Sequence, residues 1–305
     1  MSALVSVSRL MGPARANAGG PAVIPGAFDA MQALVPAFAL FSQQQLISSA
    51  TYAGFAYRAQ RSSDNATLDC LPNTTSLTLA AWGQAAGASQ VYRIKRYDQS
   101  GAGLDSDTGT IGVAGTSPTL DCSVSVYPVA VYNGTTQRTA WTNATMRGIN
   151  NTALGITMAC AVQPTATPSA TAQAMAISQT ASGNAARTAI SFLTTPNFSA
   201  STNRGDGNPF AASAPTSWDT NPNILMNVTD YPGGTVKRYV NGVAGTTTSF
   251  TSLPSPTLGV SAAVYVGGVN SQNFAPMRET TSVFYNVAIS GSNLTALQAA
   301  MEASA

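Results

Sequence analysis

Apolar and polar positions alternate in short runs along most of this chain, and the runs are cut by turn residues. Residues 91–97 (VYRIKRY) alternate as a half-buried strand does. They end in Asp98-Gln99-Ser100-Gly101, where Asp and Ser satisfy backbone groups and Gly supplies a positive φ. Residues 55–59 and 67–71 predict two strands around a turn at Ser62-Ser63-Asp64-Asn65. Further β-prone runs span 123–132, 155–162, 174–179, 189–193, 224–228, 235–239, 246–251, 262–266 and 281–289, separated by Gly, Pro, Asn or Ser. Strands at this spacing, with few helices, predict an all-β antiparallel sandwich. Asn241-Gly242 is a favoured type I′ hairpin pair.

Helical patterns are few. Residues 77–86 (LTLAAWGQAA) form one. The C-terminal SGSNLTALQAAMEA forms another, capped by Ser290 or Ser292, with Leu294, Leu297 and Met301 on one face. Residues 28–50 are apolar with polar breaks, and Pro36 limits them to a short helix followed by an entering strand. Residues 1–27 are rich in Ala, Gly, Pro and Ser, show no period, and predict an extended arm that docks elsewhere. The sandwich body is expected over 28–305.

Composition narrows the chemistry. Charged residues make up 9% of the chain, against roughly 25% in typical soluble domains. A chain of so little charge suits an assembly that covers much of its surface, and a homo-oligomer is expected. The net charge is +2 and no long Lys/Arg cluster occurs, which argues against nucleic acid as a partner. There is no histidine, which removes Ser-His-Asp and Cys-His catalysis and every His-based metal site. Cys70, Cys122 and Cys160 lie too far apart in sequence for a C-x-x-C motif and are expected as buried thiols in strands. No apolar run approaches the roughly 20 residues that span a membrane. The first residues, broken by Arg9 and Arg15, read as a poor signal peptide, so none of the eight Asn-x-Ser/Thr triplets, from Asn65 to Asn293, is expected to be glycosylated. Arg204-Gly205-Asp206 is expected to be a loop accident.

The charge that exists is concentrated. Arg58, Arg61, Arg93, Lys95 and Arg96 share residues 52–103 with Asp64, Asp69 and Asp98, whose expected roles are capping turns and pairing with those arginines. Asp105 and Asp107 in GLDSDTG could offer oxygens to a hard cation, but calcium usually takes six to eight ligands, and a solvated turn is expected there. No cofactor or metal is expected. The chain has two glutamates, Glu279 and Glu302.

Four segments carry a resemblance: SSATYAGFAYRAQRSSDNATLD, RYDQSGAG, the KRYVNGV hairpin, and VFYNVAISGSNLTALQAAMEA. In this order they resemble the concanavalin A-like (LamG-type) jelly roll. More narrowly, they resemble the catalytic domain of the α-L-arabinofuranosidase B family and its relatives in bacteriophage structural proteins. That family implies a retaining glycosidase with two nearby carboxyl groups. Its late Gly-Gly-Asp-Asn-Ser run, which carries the acid, reads here Gly267-Gly268-Val269-Asn270-Ser271. Its Tyr-Glu-Gly run reads Tyr285-Asn286-Val287, and its Gly-Asn-Ala-Glu run corresponds to Gly183-Asn184-Ala185-Ala186. Val269 and Ala186 in place of carboxylates imply a chain that is not an enzyme.

The expectation that follows is a non-enzymatic virion protein (capsid decoration, head fibre, collar or tail) docked to other virion proteins through its N-terminal arm. The alternatives are a module binding host-surface glycans and, behind it, an arabinofuranosidase-like hydrolase. For glycan binding the candidates are Trp82, Trp218, Tyr265 and Asn270, with Trp141 and Tyr231 as further aromatics, because sugars stack on exposed rings.

Overall fold

The structure is a computed structural model that describes residues 23–88, 90–109, 117–178, 188–195, 197–202, 210–212, 221–250, 263–269 and 273–305. In chain order, helix α1 (Asp29–Leu34) precedes strands β1 (Ala39–Ser42), β2 (Tyr57–Arg61) and β3 (Thr67–Cys70). Helix α2 (Ser76–Gln84) leads into β4 (Val91–Arg96), β5 (Thr119–Asp121), β6 (Val129–Asn133) and β7 (Thr139–Trp141). After α3 (Ala144–Thr152) come β8 (Gly155–Pro164), β9 (Ala172–Ser178), β10 (Thr188–Phe192), β11 (Phe198–Thr202) and β12 (Phe210–Ala212). The chain ends with β13 (Asn223–Asp230), β14 (Thr235–Val240), β15 (Val243–Ala244), β16 (Thr248–Ser249), β17 (Ala263–Val266), β18 (Pro276–Tyr285) and α4 (Gly291–Ala303).

Among the described residues the strands form two antiparallel sheets. The larger runs β15-β14-β13-β8-β18-β6-β5-β4-β2-β3, with β1 on β18 and β16 on β14; the smaller runs β12-β11-β10-β9-β17-β7. Between them lies the main core, with Phe41, Tyr132, Met158, Cys160 and Phe284 from the larger sheet against Trp141, Met175, Ile177, Ile190, Phe192 and Val264 from the smaller. The far side of the larger sheet is also covered. There Leu40, Ala159, Met226, Val283 and Tyr285 pack under Phe28 and Met31 of the α1 region and Leu297, Ala300 and Met301 of α4. This is the predicted β-sandwich of jelly-roll type with a few short helices.

Two bulges decide what the interior contains. Pairing shifts between Arg58 and Ala59 opposite β4, and between Glu279 and Thr281 in β18. An extra residue in a strand turns two positions of unlike parity to one face. Arg93 and Arg96 therefore both point inward, as do Glu279 and Ser282. Arg93 Nη2 lies 3.0 Å from Glu279 Oε2, and Arg96 Nη2 lies 2.9 Å from Glu279 Oε1. Ser282 donates to Glu279 Oε1 at 2.7 Å, Arg93 also donates to the Tyr132 hydroxyl at 2.6 Å, and Arg96 donates to the Phe41 carbonyl at 2.8 Å. All three charged groups are essentially inaccessible to water. Burial alone would raise the Glu279 carboxyl, but Arg96 and Arg93 outweigh it and hold the group below its ordinary value.

Several expectations change in detail. Residues 123–128 are a turn rather than strand, because Asp121 Oδ1 accepts from the backbone and hydroxyl of Ser123 and folds the chain there. Asp64, Asp69 and Asp98 act as expected. Asp64 pairs with Arg61 and Asp69 with Arg58, both at 2.7 Å, while Asp98 accepts from Leu40, Ser100 and Leu104 backbone N–H groups. Cys70 and Cys160 are buried free thiols in strands, and Cys122 is half-buried just beyond β5. Of the proposed arm, residues 1–22 lie outside the described residues. Its end is tied to the body: Ser49 donates to the Ile24 carbonyl, and Phe28 to that of Leu46. No helix among the described residues is long and apolar enough to cross a membrane.

Candidate functional site

The outer face of the six-stranded sheet is built differently from every other buried surface described. Directly paired residues share a face, and register sets one row across this sheet as Ala140–Tyr265–Ala176–Ala189–Ser201. A bulge in β9 brings Gln173 opposite Ser191, beside that row. Inward-facing neighbours on the same strands are Met175, Ile177, Ile190 and Val264, so the sheet buries large side chains inward and small ones outward. Ala176 is the outward trace of this asymmetry in β9, whereas Ala172 and Ala174 belong to the core between the sheets. The result is an apolar patch of Ala176, Ala189, Ala263, Val269 and Tyr265, all of them buried.

Polar groups on this face lack partners. Gln173 is 1% exposed, and neither its amide oxygen nor its amide nitrogen makes a hydrogen bond. The Ser201 hydroxyl is buried and also unpartnered. Arg138, at the start of β7, lays its guanidinium 5.3 Å over the Tyr265 ring, and its Nε and Nη1 have no acceptor. A buried polar group without a partner costs roughly 1–3 kcal/mol. Asp107 lies near the same edge, where its backbone N–H donates to the Ala140 carbonyl and its Oδ1 accepts from the Thr142 N–H and hydroxyl at 3.2 and 3.1 Å. Burial raises the Tyr265 phenol above its ordinary value, Arg138 opposes that, and Asp107 adds to it.

Backbone geometry at Gly267 and Gly268 supports this edge. Gly267 has φ +86°, and a Cβ there would run into the Tyr132 ring; a Cβ on Gly268 would meet Phe274. Only glycine lets the chain pass so close to both rings. The Gly-Gly run, where the sequence departs from the arabinofuranosidase pattern at Val269, therefore joins the outer face to the buried charge cluster, through Tyr132 and Arg93.

The expected site residues separate. Tyr265 belongs to the face. Trp82 does not: it lies half-buried on α2, with the Arg61 guanidinium 4.9 Å over its ring. Trp141 is fully buried against Phe41, and Tyr231 is buried with its hydroxyl near Thr188 and Thr202; both belong to the main core and not to the outer face. Trp218 and Asn270 lie outside the described residues, as does the Arg204-Gly205-Asp206 triplet. Asp105 pairs with Lys95 at 3.1 Å, away from Asp107's partners. No group of three or more His, Cys, Asp or Glu residues among those described could hold a metal ion. Gln173, Ser201 and Arg138 were not foreseen, because nothing in a single sequence marks a polar side chain as buried and unpaired.

No protein-family model and no curated protein matched the chain. Solved structures do match it. An arabinofuranosidase complexed with arabinofuranosyl-α-1,2-xylobiose is similar at TM-score 0.61 and 15% identity, over 92% of this chain and 65% of that one. An α-L-arabinofuranosidase soaked with a cyclic sulfate inhibitor is similar at TM-score 0.62 and 15% identity, over 91% and 64%. A Trypanosoma rangeli sialidase with sialic acid is similar at TM-score 0.50 and 17% identity, over 68% and 31%. The chain thus spans less than two thirds of the length of these neighbours, and at such identities the likeness is one of fold.

These comparisons overturn the expectation that the chain is not an enzyme, since the neighbours are glycoside hydrolases. The reason that expectation was weak is physical. Val269 is part of the apolar patch, which says nothing about carboxylates elsewhere, and Ala186 lies outside the described residues. The arabinofuranosidase side of the resemblance is supported at the level of fold, and these neighbours lend nothing to its bacteriophage side.

Proposed function

We propose that the outer face of the six-stranded sheet binds a carbohydrate. One observation carries this reading: Gln173 is buried on that face with both ends of its amide unpartnered. A primary amide can donate and accept at once, which is what a pair of neighbouring sugar hydroxyls requires. Elsewhere on the same face the Ser201 hydroxyl, two strands over, and the Arg138 guanidinium, over Tyr265, add one donor–acceptor and two donors. Tyr265, itself 5% exposed, and the buried alanines beside it supply the apolar surface that a sugar ring would meet on this face. The fold supports the reading, since the arabinofuranosidase neighbour was solved with an oligosaccharide.

The test is a glycan array followed by calorimetry on the full chain. Wild type is expected to bind at least one carbohydrate class, and Gln173→Leu and Tyr265→Ala are each expected to weaken that binding tenfold or more, the first with no loss of stability and the second with the cost of a truncated buried ring. Binding unchanged in both variants would remove the assignment of this face.

A hydrolytic reading on the same face is favoured by the neighbours' chemistry and by Asp107 beside Tyr265 and Arg138. A retaining mechanism would pair Asp107 with a second carboxyl group about 5–5.5 Å away. Release of 4-nitrophenol from 4-nitrophenyl α-L-arabinofuranoside tests it. Turnover by wild type that Asp107→Asn abolishes supports the reading, and turnover indifferent to that change contradicts it.

A further inference from the structure

A second concavity opens at one end of the sandwich, where three connections meet. It has a volume of about 470 Å³ and is walled by the β6–β7 turn at Asn133, the β8–β9 connection at Thr167 and Ser169, and the approach to β18 at Asn273, Phe274 and Pro276. That size is in the range of small-ligand pockets. It is walled wholly by uncharged residues. Hydroxyl and amide groups alternate there with proline rings and one phenyl ring, a surface suited to a ligand that is itself part hydroxyl and part apolar ring face, and not to an ion.

The pocket is joined to the candidate face through the backbone. Gln173 donates its N–H to the Asn273 carbonyl at 2.8 Å and forms a β-bridge with Phe274. The Phe274 ring is bedded on Gly268, where any side chain would displace it, and the same ring lines the pocket. Gln173 is thus paired through the backbone with two residues that line the open volume. The opposite wall is fixed independently. Asn133 Oδ1 accepts from the N–H groups of Thr135, Thr136 and Gln137, and the Gly134 backbone lies against Pro276, so the turn is held in shape without a ligand.

We infer that this pocket is a second saccharide subsite, and that the ligand is a neutral oligosaccharide running from Gln173 across Phe274 into it rather than a single sugar. The inference rests on the carbohydrate reading of the sheet face and adds to it the length and neutrality of the ligand. Ligand length then sets affinity. A monosaccharide reaches one subsite, whereas a chain of three or more sugars engages both.

The experiment is an amide-resolved NMR titration of the full chain with xylose, xylobiose, xylotetraose and arabinofuranosyl-α-1,2-xylobiose, repeated with Phe274→Ala and Ser169→Trp. The second variant fills the pocket from an exposed connection without entering the core. Affinity is expected to rise at least tenfold from xylose to the longer probes. Amides of Gln173, Ser169 and Phe274 should shift together, and both variants should cancel the length dependence, Ser169→Trp while leaving xylose binding unchanged. Shifts at Gln173 and Tyr265 with a silent pocket, or affinity independent of length, overturn the second subsite and leave the face assignment standing. Silence at both regions with every probe removes the face assignment, and the subsite with it.

Discussion

Two regions of this sandwich bury polar side chains, and they do so in opposite ways. Inside, between the sheets, Glu279 receives Arg93, Arg96 and Ser282, and the arginines reach on to Tyr132 and the Phe41 carbonyl. Save for Arg93 Nε, the guanidinium and carboxylate atoms of this cluster have partners. Outside, on the six-stranded sheet, Gln173 and Ser201 are also buried and stay unpaired, and half-buried Arg138 has two nitrogens without an acceptor. Removing one member of a satisfied buried cluster leaves stranded charge, whereas removing an unsatisfied group relieves a cost. Polar burial that the fold itself satisfies belongs to architecture. Polar burial that it leaves open costs stability, at the Tyr57 hydroxyl and Trp141 Nε1 in the core as well as on the outer face.

The contrast breaks most visibly at Glu279. Glu279→Gln leaves two arginines without their counter-charge and is expected to destabilise the chain by about 3–5 kcal/mol in a denaturant titration. Replacing Arg93, Arg96 and Glu279 together with Met, Leu and Met should cost far less than that single change, since apolar residues can substitute for a complete buried ion cluster. A triple variant as unstable as the single one would mean that the cluster contributes more than its charges.

Acidity probes the same cluster. The Glu279 carboxyl is held below its ordinary value of 4.5, so its stabilising contribution is complete above that pH and is lost as pH falls through the depressed value. Stability measured from pH 6 downward should therefore fall below about pH 4.5 in wild type, and more shallowly in Glu279→Gln. On the outer face the sign reverses. Gln173→Leu is expected to raise stability by about 1–2 kcal/mol, because it replaces an unpaired buried amide with an apolar group of similar size. The smallest effect belongs to the surface: Arg58→Ala, which breaks the half-exposed pair with Asp69, should cost less than about 1 kcal/mol and less still at high salt.

Much of the fold was legible in the sequence, because alternation and turn chemistry are local. Residues 91–97, the Asn241-Gly242 turn and the C-terminal helix with Leu297 and Met301 inward all occupy their expected places. The interior charge was not legible. Arg93 and Arg96 are three apart, which in a regular strand sends them to opposite faces, and only a bulge turns both inward. Of the expected glycan-binding residues that are described, only Tyr265 lies on the face proposed to bind. Aromatic type alone cannot tell a ring on an outer face from one such as Trp141 in the core. Nor could the alanines of β9 announce Gln173, because its position depends on a bulge opposite Ile190 and Ser191.

Affinity and stability measured together in Gln173→Leu test the central claim most directly. The account predicts that this variant unfolds at higher denaturant than wild type and binds its carbohydrate at least tenfold more weakly. A variant that is less stable than wild type and binds carbohydrate as well as before would contradict it.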